Sequence, residues 1–190
     1  MANPRILVFA GSIRAGSLNQ KLAMAVVKEL ALLDAAVMHV SLADYPMPIY
    51  DGDLEAQSGP PENAQKLQRL MGEHHGIFIA SPEYNAGVTP LLKNTIDWVS
   101  RCKVPPNPYK DRVFAIGGAS PGGLGAYRGL MMLRQSLTLG LGATVLPEQI
   151  AVSRASDAFG DNGALKDETQ AKQLRSLLAR LLDEASRYAR

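Results

Sequence analysis

A chain of 190 residues, 46% hydrophobic and 20% charged, is long enough for one compact domain with a real core. A formal net charge of only +2, with no Lys/Arg stripe, argues against nucleic acid as a partner. No apolar run reaches membrane-spanning length, and the single cysteine, Cys102, excludes an internal disulfide and fits a reducing compartment. The first residues, Met1 to Arg5, lack the apolar stretch and cleavage site of a signal peptide, so the expected location is the cytoplasm.

Arg5 to Ala10 is a short apolar run ending at Gly11, the pattern of a buried parallel strand. A loop of small and polar residues follows to Asn19. From about Gln20 to Leu33, Leu22, Val26, Val27, Leu30 and Leu33 recur at helical spacing. Ala36 to Leu42 is a second strand candidate. Ala43 to Pro61 is rich in Pro, Asp and Gly and reads as a long irregular segment, a kind that is often functional. Glu62 to His74 is predicted helical, with Ala64, Leu67, Leu70 and Met71 on one face, and Gly76 to Ala80 is the third strand. Thr89 and Pro90 mark a helix start, as cap and first helical residue, and that helix runs to about Ser100. Val113 to Gly117 is the fourth strand and leads into a glycine-rich loop ending at Gly125. The next helix spans about Tyr127 to Leu139 with Gly140 as its expected C-cap. Ala143 to Leu146 is a short fifth strand. After a polar loop, Ser153 to Gly163, comes a last helix, capped by Asp167 with Gln170 completing a capping box.

Strands alternating with helices, without repeat or linker, predict one α/β domain over residues 1–190, a parallel sheet covered on both faces. In such sheets ligands bind beyond the carboxyl ends of the strands. Three loops of unusual composition leave those ends: Gly11 to Asn19, Ser81 to Thr89 and Ala119 to Ala126. The first carries two glycines, Ser12, Arg14, Ser17 and Asn19 just before a helix N-terminus, where free N–H groups and the helix dipole favour an anion. It matches neither GxxxxGK[ST] nor GxGxxG, so a single phosphate monoester suits it better than a pyrophosphate. A plain polar turn with a capping serine is the competing reading of this loop. In the second, Ser81-Pro82-Glu83-Tyr84-Asn85-Ala86-Gly87, a proline stiffens the chain and Tyr84 offers a flat apolar face, suited to a planar heterocycle. The competing reading is a surface turn with Tyr84 simply packed. In the strand order 2-1-3-4-5 the first two loops are neighbours at the switch point, so that one would hold a phosphate and the other a ring.

Gly11-Ser12-Ile13-Arg14-Ala15-Gly16-Ser17-Leu18-Asn19, Ser81 to Asn85 and Leu92-Lys93-Asn94-Thr95-Ile96-Asp97-Trp98 together resemble the NADPH-dependent FMN reductase family, over nearly the whole chain. The resemblance implies a flavodoxin-like three-layer fold with a five-stranded parallel sheet of order 2-1-3-4-5. It also implies flavin mononucleotide (FMN) as cofactor, NADPH or NADH as co-substrate, a small-molecule acceptor, and a homodimer or homotetramer. Carried over by position, Ser12, Arg14, Ser17, Leu18 and Asn19 resemble the phosphate and ribityl binders. Pro82, Glu83, Tyr84 and Asn85 resemble the isoalloxazine binders, with Gly87 nearby and Ser120 at the ring's edge. Lys93, Asn94 and Asp97 are read as structural. Trp98, Val99 and an Arg128–Glu148 pair are the expected makings of a subunit interface.

An FMN electron carrier of flavodoxin type is the alternative, although such carriers are usually strongly acidic. A phosphate-binding regulatory module is a third class. Adjacent His74 and His75 do not share a helix face, which argues against a metal site. No GxSxG elbow supports a serine hydrolase.

Overall fold

The computed structural model describes residues 3–105 and 107–189; Met1 and Ala2, the lead-in to the first strand, lie outside them. Five parallel strands form the sheet. They are β1 (Arg5–Ala10), β2 (Ala36–Val40), β3 (Gly76–Ala80), and, beyond a small hairpin of β4 (Glu83–Tyr84) and β5 (Gly87–Val88), β6 (Val113–Ala119) and β7 (Thr144–Val152). The order across the sheet is β2-β1-β3-β6-β7, which counted over its own five strands is the expected 2-1-3-4-5. The central strands β3 and β6 are buried along their whole length and β1 is buried after Arg5, which is why they read as unbroken apolar runs. The edge strands β2 and β7 alternate in exposure.

Alternation along each strand builds two cores. Ile6, Val8, Ala10 and Phe78 face α1 (Leu18–Leu32) and α6 (Glu168–Ser186), meeting Leu22, Val26, Leu177 and Leu181. Leu7, Phe9, Ile77, Ile79 and Phe114 face the other layer: α3 (Glu62–Glu73), α4 (Pro90–Arg101) and α5 (Tyr127–Gln135), through Leu67, Met71, Leu92, Ile96 and Leu130. Fully burying each such side chain stabilises by about 1.5–3 kcal/mol, and helices on both faces give the three-layer flavodoxin-like architecture.

The chain departs from the sequence reading in four places. Residues 43–61 are not irregular throughout: Asp51 caps α2 (Gly52–Ser58) by accepting from the N–H groups of Asp53 and Leu54. The segment is also tied to α4. Asn94 Oδ1 accepts from the Tyr50 N–H (2.7 Å), while Asn94 Nδ2 and Trp98 Nε1 both donate to the Pro48 carbonyl (2.8 Å each). This explains Asn94 as a structural residue. Trp98 is completely buried in its own chain, with Tyr50 edge-on at 5.0 Å, so it offers no surface to another subunit. The fifth strand continues past Pro147, because the register shift opposite Phe114–Ile116 absorbs the proline on an edge strand. Finally, α5 loosens into a π turn at Ser136–Gly140 and ends at Leu141, with Gly142 rather than Gly140 in the left-handed conformation (φ +69°).

Candidate flavin site

The three singled-out loops converge at the carboxyl end of the sheet. Gly11 N–H donates to the Ala80 carbonyl (2.8 Å), and the buried Thr89 hydroxyl donates to the Gly11 carbonyl (2.8 Å) while accepting from Leu92 N–H at the start of α4. One side chain therefore caps a helix and fastens the β1 loop to the β3 loop. The third loop is held by Asn19, whose Oδ1 accepts from Ala119 N–H and whose Nδ2 donates to the Ala119 carbonyl, both at 2.9 Å. Ser120 and Gly122 are stitched to residues 152–155 by backbone bonds. Gly125 has φ +59°, and a Cβ there would meet the Ala151 backbone at 2.7 Å, so this close turn requires glycine.

A cleft of about 380 Å³ opens between the loops, within the size range of small-molecule sites (about 300–1,000 Å³). Ser12, Arg14, Ser17, Leu18, Asn19, Pro82, Glu83, Tyr84 and Ser120, all anticipated from sequence, line it. Asn85 and Gly87 do not. They belong to the hairpin turn, where Asn85 (φ +51°) and Ala86 (φ +63°) form a two-residue connection with both central residues left-handed. Gly16, Ala119, Pro121 and Ser156 line the cleft without having been anticipated as site residues. Ser156 carries no local signal, because it arrives from a 3-10 turn at Ala155–Asp157.

The β1 loop presents donors. Ser17 Oγ accepts from the N–H groups of Asn19 and Gln20, and Ser12 Oγ from that of Arg14. With their oxygens so engaged, the two hydroxyl protons are free to be donated outward. The N–H groups of Ser12, Gly16 and Leu18 have no acceptor among the described residues, and neither does the exposed Arg14 guanidinium. The loop therefore offers both a capping serine and an anion-binding donor set.

The β3 hairpin is organised differently. The Glu83 carboxylate takes Arg128 Nε and the Gly129 N–H at the start of α5, each at 2.9 Å. Burial alone would raise its pKa, but the Gly129 N–H and the Arg128 guanidinium outweigh it and hold the group below the usual carboxylate range. Gly129 allows α5 this close: a Cβ would press on Glu83 Cβ and the Gly87 carbonyl, both at 3.1 Å. Arg128 thus pairs with Glu83 of its own chain, not with Glu148, which instead lies 3.7 Å from Arg180. Glu83 is the one carboxylate lining the cleft, and it is neutralised, so Arg14 leaves the cavity positive. Tyr84 is half exposed, its ring available beside Pro82.

Residues 4–157 match the family of NADPH-dependent FMN reductases. The chain belongs to that family. An NAD(P)H-dependent FMN reductase of Pseudomonas aeruginosa is 33% identical over 165 residues, 86% of this chain and 85% of the relative. An NAD(P)H:quinone oxidoreductase of Solanum tuberosum is 34% identical over 187 residues, 95% of this chain and 93% of the relative. Among solved structures, the flavoenzyme NAD(P)H:(acceptor) oxidoreductase FerB of Paracoccus denitrificans superposes with a TM-score of 0.79 at 29% identity, covering 97% of this chain and 98% of its own. The expected fold, enzyme class and cofactor stand with the family: an FMN-dependent NAD(P)H oxidoreductase on a flavodoxin-like scaffold. The cleft suits that cofactor. A donor-only β1 loop meets the needs of a phosphate dianion, and a neutralised wall with a flat aromatic meets those of a heterocycle. Among the described residues no helix is long and apolar enough to cross a membrane, and no group of three or more His, Cys, Asp or Glu is arranged to hold a metal ion.

Proposed function

We propose that the cleft holds FMN with its phosphate in the β1 loop and its ring against the β3 hairpin, and that the enzyme passes reducing equivalents from NAD(P)H to a small acceptor. The donor set of Ser12, Arg14 and Ser17 carries this reading, because it is positive, uncommitted and sited at the strand-order switch point. FMN held there would supply the redox chemistry, that of a hydride acceptor at N5 for NAD(P)H and a donor to a quinone, flavin, azo compound or chromate in ping-pong exchange. The chain's own task is to bind and orient. Ser12, Arg14 and Ser17, with the Gly16 and Leu18 N–H groups, grip the phosphate; Asn19 keeps the β1 and β6 loops together. Pro82, Glu83 and Tyr84 shape the ring's wall, with the hairpin turn of Asn85 and Gly87 behind them, and Ser120 brings a hydroxyl to its edge. No side chain acts as acid, base or nucleophile.

The whole chain works as one domain, in the cytoplasm, as a homodimer or homotetramer. Support for assembly comes from α5 rather than from Trp98. Tyr127 and Met131, one helical turn apart on α5, are about half exposed, as is Leu124 in the turn before the helix, beside Met132, which lies close to the β4–β5 hairpin. Steady-state turnover of holoenzyme with NADPH and a quinone tests the enzymatic reading. Parallel double-reciprocal lines are expected, lines meeting at a ternary complex would contradict ping-pong exchange, and no turnover without a partner protein would contradict the reductase itself.

A further inference from the structure

The end of α4 remote from the flavin loops closes a second groove, of about 320 Å³, together with α2, the turn after it and one face of α3. From α3 come Gln65, Gln68 and Arg69, which lie three and four residues apart and so share that face. The twelve residues of α4 put the groove about 18 Å from Thr89, where the flavin loops are fastened. Among the described residues it shares no lining side chain with the flavin cleft.

The groove carries uncompensated positive charge. Arg69, Arg101 and Lys103 line it against a single carboxylate, Glu55, an excess of two positive charges. Glu55 is engaged: it accepts from the Tyr50 hydroxyl (2.7 Å) and lies 3.7 Å from Arg101, whose guanidinium also covers the Tyr50 ring at 5.0 Å. Arg69 and Lys103 are exposed, and neither has a carboxylate partner among the described residues. Glu62, about two helical turns before Arg69, is bonded to Lys66 instead (2.8 Å). Carbonyls that would oppose an anion are taken, that of Pro60 by the Gln65 amide (2.9 Å) and that of Val104 by the Gln68 amide (2.7 Å). Pro60 and Val104, the latter 62% exposed, add an apolar rim. Cys102, the chain's only cysteine, is half-buried in the same wall. Burial raises its thiol pKa and the Arg69 guanidinium opposes that rise, which sets the cation beside the sulfur.

We infer that this groove is an anion site separate from the flavin's, taking the phosphate monoester of a small organic molecule. Arg69 and Lys103 receive the phosphate, and the organic group lies on Pro60 and Val104. A monoester carries close to two negative charges at pH 7, matching the excess of the groove. A guanidinium can meet two of its oxygens at once. The volume, at the small end of the range for ligand sites, leaves room for more than a bare phosphate.

Phenyl phosphate, with phenyl sulfate as its singly charged counterpart, probes the groove in the FMN-loaded protein, where the β1 loop is already filled. Because Cys102 is the only thiol, its alkylation by uncharged iodoacetamide reads occupancy of this groove, and calorimetry reads affinity. Phenyl phosphate should slow alkylation saturably, over the concentrations at which calorimetry shows it binding. Phenyl sulfate should bind about tenfold or more weakly, the worth of one charged hydrogen bond. Arg69→Gln and Lys103→Gln, both at exposed positions, should each weaken phenyl phosphate by a similar factor while turnover of NADPH with a quinone stays unchanged. Absence of saturable protection, or protection of undiminished affinity in the double variant Arg69→Gln/Lys103→Gln, would overturn the site. Equal binding of the two esters would overturn its assignment to a phosphate monoester.

Discussion

Between β1 and α1 the chain leaves donors open: two hydroxyl protons, several backbone N–H groups and a guanidinium without a partner. Between β3 and α4 the polar groups are largely engaged, Glu83 with Arg128 and Gly129, Thr89 with Gly11 and Leu92. Both loops line one cleft, and both look equally polar in sequence. The difference teaches that a motif's polar residues divide into those that face a ligand and those that hold the loops facing it. An anion is gripped by donors left free, whereas a ring is received by a wall whose own charge is already neutralised.

The largest expected effect falls on a residue that serves both sides. Asn19 is buried, and its amide satisfies both polar groups of Ala119. Asn19→Leu leaves that N–H and carbonyl unpaired and should cost about 2–4 kcal/mol, read by urea denaturation of the apoprotein. A loss indistinguishable from zero would remove Asn19 from its role as the tie between β1 and β6 loops.

Glu83 sharpens the contrast through pH. Its folded pKa is depressed, so its contribution to stability is fully present above the ordinary value of 4.5 and is lost as pH falls through the lower folded value. Thermal melts of wild type and Glu83→Gln should therefore differ by a constant amount above about pH 5.5 and converge in acid. Curves that diverge further as pH falls would mean that the carboxylate is not held as the structure has it.

The smallest effect concerns the hairpin turn. Ala86 occupies a left-handed position that glycine adopts freely. Ala86→Gly should stabilise the protein by about 0.5–1 kcal/mol, visible as a raised denaturation midpoint, without changing FMN affinity because Ala86 does not line the cleft. A changed affinity would mean that the turn reaches the ligand.

The sheet was legible because buried parallel strands are continuous apolar runs, and β3 begins and ends where the pattern says. The edge strand β7 was truncated at Pro147, since a bulge that accommodates proline depends on the partner strand and leaves no local trace. Helix α2 was missed because seven residues with no buried side chain show no apolar face; only Asp51 marks it. At the site, the residue types of the β1 loop point to an anion, and the structure leaves their donors open. What sequence could not disclose is where side chains turn. Arg128 was paired with Glu148 on plausible charge, yet α5 meets the hairpin through Gly129 and brings Glu83 closer. Trp98 looked like surface because its cover, residues 48–50, comes from a segment with no helical or strand pattern.

The central claim is that the open donors of the β1 loop exist for a phosphate, and fluorescence titration of apoprotein with FMN and with riboflavin tests it most directly. Wild type should bind FMN far more tightly than riboflavin. Arg14→Ala should weaken FMN by roughly tenfold or more, about 1.5–3 kcal/mol, while riboflavin binding stays unchanged. Equal affinity of the wild type for the two flavins, or an Arg14→Ala variant that binds FMN as well as wild type does, would contradict the account.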